Sequence, residues 1–202
     1  MVSRLEKVAP NLRLEVRPYN RATFSNDLAT NQADIVISYL RDTHKNLLSK
    51  ELFFQNFVCV CRKDHLYTKP QLSLMDYTEM QHVLVSPDKG GFKGLVDEKL
   101  KSLGLTRRVA ISTPHFFTGC QFVANSNYFL TLPRYVAARV VTFLDLKVYE
   151  LPFDLEGFST SIHWHRRFDN DIENKAIRDL IMNVAKEELV KLKSTAANKI
   201  CR

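Results

Sequence analysis

The stretch HVLVSPDKGGFKGLVDEKLKSLGLTRRVAI, residues 82–111, holds a strand, a loop, a helix and a second strand in that order. His82 to Ser86 is a short apolar run rich in Val and Leu, which predicts a buried strand. Pro87-Asp88-Lys89-Gly90-Gly91 is turn chemistry and predicts a loop. Val96, Leu100 and Leu103 then recur at helical spacing, and Gly104 supplies the residue that a helix C-terminus favours. Val109-Ala110-Ile111 is extended again, so strand and helix alternate.

The alternation continues in both directions. Upstream, Val2, Leu5, Val8 and Ala9 have helical spacing, Pro10-Asn11 breaks it, and Leu12, Leu14 and Val16 alternate with charged residues as in a strand. A helix is expected from Thr23 to Thr30, stopped by Asn31, which tolerates a left-handed backbone. A buried strand is expected over residues 34–38. After a polar loop over residues 41–49 come two β-rich runs, residues 51–54 and 57–61, and a helix near residues 72–80. Downstream, helices are expected over 116–123 and 134–141, and strands over 128–132, 146–151 and 159–165. A long final helix carries Ile172, Ile177, Leu180, Ile181 and Val184 on one stripe, with Asn170 and Glu173 spaced as a capping box. Short strands alternating with helices imply an α/β fold with mainly parallel sheets covered on both faces.

Composition narrows the function classes. At 202 residues and 45% hydrophobic content the chain can bury a core without disulfides or a structural metal. Cys59, Cys61, Cys120 and Cys201 lack the paired spacing of zinc or redox motifs, which points to reduced thiols and a cytoplasmic location. No signal-peptide h-region and no run of eighteen apolar residues is present, so no membrane role is expected. The net charge of +7 is spread among acidic residues and not gathered on one helix, which reads as a solvated surface.

In α/β folds ligands sit beyond the carboxyl ends of strands, so the loops at residues 39–46, 86–94 and 112–117 are the places to look. Thr113-Pro114-His115-Phe116 puts a hydroxyl, an imidazole and a ring at one strand end, which suits a small aromatic ligand with a polar substituent. The same residues also suit a turn shaped by Pro114, a helix capped by His115 and a core Phe116. Ser38 and Tyr39 end another strand and are a second candidate contact. His163 and His165 share one strand face and Trp164 takes the other. A third metal ligand is lacking, so no metal is expected there. Contact with a ligand and plain packing both remain open for His163, Trp164 and His165. Gly90-Gly91-Phe92-Lys93-Gly94 lacks the order of a phosphate-binding loop. The chain has no G-x-S-x-G elbow and no H-E-x-x-H, so neither an enzyme nor a cofactor is expected.

In order and spacing, several segments resemble the regulatory domain of LysR-type transcriptional regulators, in the branch with nodulation and aromatic-degradation activators. They are residues 5–14 (LEKVAPNLRL), 33–37 (ADIVI), 51–53 with Asp64-His65-Leu66, 83–87 (VLVSP), 107–110 (RRVA), Thr131-Leu132-Pro133 and His163-Trp164-His165. The resemblance implies a periplasmic-binding-protein-like type II fold of two Rossmann-like lobes joined by two crossovers. Lobe I is expected from residues 1–80 and 164–202, and lobe II from 81–163. It further implies a small effector, expected to be aromatic, bound in the inter-lobe cleft by Thr113, His115, Phe116, Ser38, Tyr39, Trp164 and His165. It implies a homo-oligomer, dimer or tetramer, with DNA contacted only through an N-terminal winged helix-turn-helix that this sequence does not include. Met1 falls within what resembles the first helix of lobe I, so that lobe is expected to lack its first strand. Two other functions stay open: an interaction fragment that pairs with full-length regulators, and an enzyme using Thr113, His115 and His165.

Overall fold

The computed structural model describes residues 2–18, 20–39, 45–86 and 90–200. In chain order the elements are α1 (Val2–Val8), α2 (Phe24–Ala29), β1 (Val36–Ser38), β2 (Leu47–Gln55), β3 (Phe57–Arg62), α3 (Leu74–Glu79) and β4 (Gln81–Val85). There follow α4 (Leu95–Ser102), β5 (Arg108–Thr113), α5 (Phe116–Ala124), β6 (Phe129–Pro133), α6 (Arg134–Val140), β7 (Leu146–Tyr149), β8 (Phe158–His165), a 3-10 turn (Arg166–Phe168) and α7 (Ile172–Ile200). The chain divides into two compact units: unit 1 is Met1–Phe54 with Phe158–Arg202, and unit 2 is Gln55–Gly157. No described helix is long and apolar enough to cross a membrane.

Unit 2 is built on a five-stranded sheet of order β5-β4-β6-β3-β7. β4 runs parallel to β5 and to β6, whereas β3 runs antiparallel to β6 and to β7. The sheet is therefore mixed, which corrects the expectation of mainly parallel strands: β3 enters the sheet against the direction of its neighbours. The period-2 alternation of β3 divides the core between the two faces. Val58 and Val60 join Val123, Leu130, Leu132 and Ala137 under α5 and α6. Cys59 and Cys61 join Tyr77, Val96, Leu100 and Phe129 under α3 and α4.

That packing also moves the expected boundary at residue 80. β3 has both its ladder partners, β6 and β7, inside unit 2, and α3 supplies Tyr77 to its core, so residues 55–80 belong there. On the other flank, β8 pairs with β1, which places residues 158–163 in unit 1.

Unit 1 carries a three-stranded sheet of order β1-β8-β2 among the described residues, with β1 antiparallel to β8. Phe24 and Leu28 of α2 are buried. Arg4 of α1 makes a paired hydrogen bond to Glu187 of α7, tying the first helix to the last. Asn31 ends α2 with φ 63°, the left-handed conformation expected of it. Two expectations fail here. The alternating residues 12–16 form no strand, because no described strand lies beside them to accept a ladder. The cap of α7 is Asp171, whose Oδ1 accepts from Asn174 N at 2.8 Å, one residue later than the expected Asn170. The expected loop at 41–49 is shorter as well, since β2 begins at Leu47; residues 40–44 lie outside the described residues.

Candidate ligand-binding site

β4 and β5 are neighbouring parallel strands, with Leu84 beside Ser112 and Val85 beside Thr113. Their carboxyl ends therefore release two loops side by side, the arrangement in which open α/β sheets bind ligands. A pocket of about 330 Å³ lies there, lined by Ser86, Gly90, Gly91, Phe92, Ser112, Thr113 and Pro114. It brings together two of the three loops singled out in the sequence; Pro87, Asp88 and Lys89 lie outside the described residues.

Local hydrogen bonds shape the walls. Ser86 N donates to Thr113 O at 2.9 Å, which carries the strand ladder one residue past β4. The Ser86 hydroxyl donates to Gly90 O at 2.9 Å, folding the loop back on its strand. Gly90 and Gly91 both take positive φ, 64° and 87°, where a side chain is strained. Thr113 is buried, and its hydroxyl accepts from His115 N at 3.4 Å.

The structure divides the expected roles of the next residues. His115 is exposed, and its side chain makes no capping bond to α5. Phe116 is half-buried and packs against the core beneath α5. Gly119 of the same helix sits so close to the sheet that a Cβ there would lie 3.1 Å from Val85 Cγ2. α5 is thereby held tight behind the pocket.

A buried polar network supports β4 from the other face. Arg107 donates to both Asp97 oxygens at 2.9 and 3.0 Å and to the Tyr77 hydroxyl at 3.0 Å. The Tyr77 hydroxyl shares a 2.7 Å hydrogen bond with Thr131 Oγ1. Burial works to raise the Asp97 pKa, but the hydrogen bonds and charge of Arg107 outweigh it and hold the carboxylate low. His82 Nε2 lies 2.8 Å from Tyr77 O. Burial, together with the nearby Arg107, lowers the His82 pKa to about 4.

Unit 1 holds the remaining candidates, on and beside its small sheet. Ser38 is buried at the end of β1, and Tyr39 is exposed with its ring 5.5 Å from Phe158. Trp164 is committed to the framework: its Nε1 donates to Asp169 Oδ1 at 3.1 Å and the Arg178 guanidinium stacks 4.4 Å from its ring. His165 caps the 3-10 turn by accepting from Arg167 N at 3.3 Å. Thus Thr113, His115 and Phe116 are brought together in unit 2, and Ser38, Tyr39, Trp164 and His165 lie in unit 1.

The sequence weighed His163 only together with His165, and the structure gives it a different partner. The β1–β8 register places Val36 beside His163 and Ser38 beside Ser161, so Ser38 and His163 share one sheet face. Ser38 Oγ and His163 Nε2 are both buried without a hydrogen-bond partner among the described residues. Burial lowers the His163 pKa, opposed by a hydrogen bond to the Ser38 backbone. Alternation had put His163 opposite Trp164; the pairing with β1 was the missing signal.

Two sheet-based units, one of them with a pocket where parallel strands end, define an α/β protein. A model of the LysR substrate binding domain matches residues 1–186, and the chain belongs to that family. It is 25% identical over 187 residues to the HTH-type transcriptional activator NagR of Ralstonia sp., covering 93% of this chain and 62% of that protein. The chain thus spans less than two thirds of the length of this relative. Among solved structures, the regulatory domain of MexT, a transcriptional activator in Pseudomonas aeruginosa, superposes with TM-score 0.77 at 29% identity over 90% of this chain and 89% of that one. The effector binding domain of QuiR in complex with shikimate shares the fold, with TM-score 0.67 at 15% identity over 92% and 88% of the two chains.

Proposed function

We propose that this chain is the effector-sensing part of a LysR-type transcriptional regulator and that unit 2 takes a small ring-bearing effector where β4 and β5 end. The pocket joining the Ser86–Gly91 and Ser112–Pro114 loops carries the reading. Its volume lies at the lower end of the range for small-molecule sites, suited to one ring and its substituents. The hydroxyls of Ser86, Ser112 and Thr113 match a carboxyl or hydroxyl group, and Phe92 offers a stacking face. His115 and Phe116 follow Pro114 in the chain and are not among the residues that line the pocket. Shikimate, the ligand of the QuiR domain, is a compound of this general kind: one ring, a carboxylate and hydroxyls.

In this reading the names of relatives such as the HTH-type transcriptional activators NagR and NahR favour a sensor over an enzyme. DNA contact then falls to a helix-turn-helix module of the sort those names record, copies of the chain assemble, and the protein works in the cytoplasm. Ser38 and His163 provide a second polar pair for ligand contact in unit 1.

Isothermal titration and thermal unfolding of the 202-residue chain against benzoate, salicylate, simple phenols and shikimate test the proposal. At a hundredfold excess over Kd an effector is expected to stabilise the protein by about 2.7 kcal/mol. Thr113→Val is expected to weaken binding about tenfold, since it leaves a ligand polar group unmatched at roughly 1.4 kcal/mol. The ring-bearing effector is abandoned if no compound gives saturable binding, and its aromatic form if shikimate alone does. Unchanged affinity in both Thr113→Val and Ser86→Ala places the site elsewhere.

A further inference from the structure

The wall of the unit 2 pocket made by Gly90, Gly91 and Phe92 is not held by burial. Residues 90–93 are all exposed. Among the described residues no atom lies within 4 Å of where a Cβ would stand on Gly90 or Gly91, so packing does not fix the turn. The loop is located by its two ends, and both lie at β4. At the first, the Ser86 hydroxyl donates to Gly90 O at 2.9 Å. At the second, Gly94 comes so close to the strand that a Cβ there would stand 3.3 Å from Leu84 Cδ1, and Gly94 N donates to Asp97 Oδ2 at 2.8 Å.

The two ties differ in what binding does to them. Ser86 lines the pocket, and its hydroxyl has a single hydrogen to give. A ligand acceptor that takes this hydrogen takes it from Gly90 O, so the first tie is released on binding. Asp97 does not line the pocket, and its carboxylate stays where Arg107 puts it. Arg107 donates to one Asp97 oxygen through Nε and to the other through Nη2, a fork that fixes the plane of the carboxylate as well as its distance. The Arg107 side chain is only 1% exposed. Its Nη1 donates to the Tyr77 hydroxyl, which is bonded in turn to Thr131 of β6. A chain of hydrogen bonds therefore runs from the middle of the sheet to Gly94 without passing through the pocket.

We infer that Asp97, held by Arg107, is the positioning residue of this site: it keeps Gly94, and through it the Gly90–Phe92 wall, in the binding conformation both before a ligand arrives and after Ser86 has turned to it. The inference rests on the ligand site proposed above and adds to it a pair of residues that touch no ligand. A wall already in place loses less freedom on binding. Loosening it should therefore weaken every ligand of the pocket alike, whereas removing a contact group weakens those ligands that use the group.

The test uses the 202-residue chain. Asp97→Ala alone would leave Arg107 a buried cation without its partner, so it is combined with Arg107→Leu, which removes both charges together. Native-state trypsin cleavage after Lys93 is expected to be about tenfold faster in the double variant, with cleavage after Arg62 of β3 unchanged as the control for global unfolding. Titration with benzoate, salicylate, phenol and shikimate, under conditions where circular dichroism shows both proteins folded, is expected to show Kd raised about tenfold for each compound that the unsubstituted chain binds. Asp97→Glu keeps a carboxylate of the kind that usually pairs with an N-cap N–H, and is expected to stay within about threefold of the unsubstituted chain in both readings. Unchanged cleavage after Lys93 in the double variant overturns the inference. So does faster cleavage with unchanged Kd, or an Asp97→Glu protein no better than the double variant. If none of the four compounds binds the unsubstituted chain, the ligand proposal falls by itself, and cleavage after Lys93 still decides whether Asp97 holds the loop.

Discussion

In unit 2 the strand β3 has a ladder partner on each edge and buried side chains on each face. In unit 1 the strand β1 has a partner on one edge, and its Ile37 side chain is 46% exposed. The two units draw on similar residue types, Leu, Ile, Val and Phe, and both expose some of them, yet among the described residues most of the fully buried ones lie in unit 2. Buried area, rather than composition, sets how firmly a segment is held, so the chain should open from unit 1 first.

The largest expected effect breaks the stronger unit. Phe129 is fully buried among the rings of Tyr67, His82 and Tyr149. Phe129→Ala should therefore cost about 3–5 kcal/mol through lost contacts and a cavity. Leu14→Ala, on the exposed rim of unit 1, should change the stability of the monomer by no more than about 0.5 kcal/mol. Urea unfolding of both variants with amide exchange as the readout checks the contrast. Slower exchange in β1 than in β3 would reverse it.

The same contrast explains what could be read from the sequence. In residues 82–111 each local signal had a tertiary partner that agreed with it, so the strands, the helix and the turn at Gly104 all appear where expected. Residues 12–16 had an equally clear alternation, but a strand is a pairing, and alternation does not say whether a partner exists. The reversed direction of β3 was hidden for a similar reason, since period-2 spacing is identical in parallel and antiparallel ladders. At the candidate site, Thr113 and the Gly90-Gly91 turn were legible because loops after strands are local features. The shared face of Ser38 and His163 was not, because it depends on the register between β1 and β8, which lie far apart in the chain.

A second, smaller effect sharpens the comparison by pH, because each unit buries one histidine lacking a partner on one ring nitrogen. At His82 the folded pKa is about 4 against 6.5 for the ordinary group, so between those values the unfolded chain takes up a proton that the folded chain refuses. Stability at this site is complete above about pH 6.5 and is lost as pH falls to about 4, by up to about 3 kcal/mol. His163 acts in the same direction from a partly buried position in unit 1. Urea midpoints at about pH 7 and about pH 4.5 should show His82→Gln removing most of the pH slope of unit 2 while leaving that of unit 1 in place. An unchanged slope in unit 2 would mean that His82 charges without cost.

The smallest expected effect compares one feature that both units use. Gly104 follows α4 with φ 72° and Asn31 follows α2 with φ 63°. At Gly104 no atom lies within 4 Å of where a Cβ would stand. Gly104→Ala thus tests backbone strain alone and should cost about 1 kcal/mol. Asn31 adds a side-chain contact: its Oδ1 accepts from Arg167, which also reaches Leu28 O at 3.2 Å. Asn31→Gly relieves strain but gives up that exposed bond, and the two should offset to within about 0.5 kcal/mol. Asn31→Ala loses on both counts and should cost about 1 kcal/mol or slightly more. If Asn31→Gly proves as harmful as Asn31→Ala in thermal unfolding, the bond to Arg167 holds α2 against the 3-10 turn, and unit 1 depends on polar ties where unit 2 depends on burial.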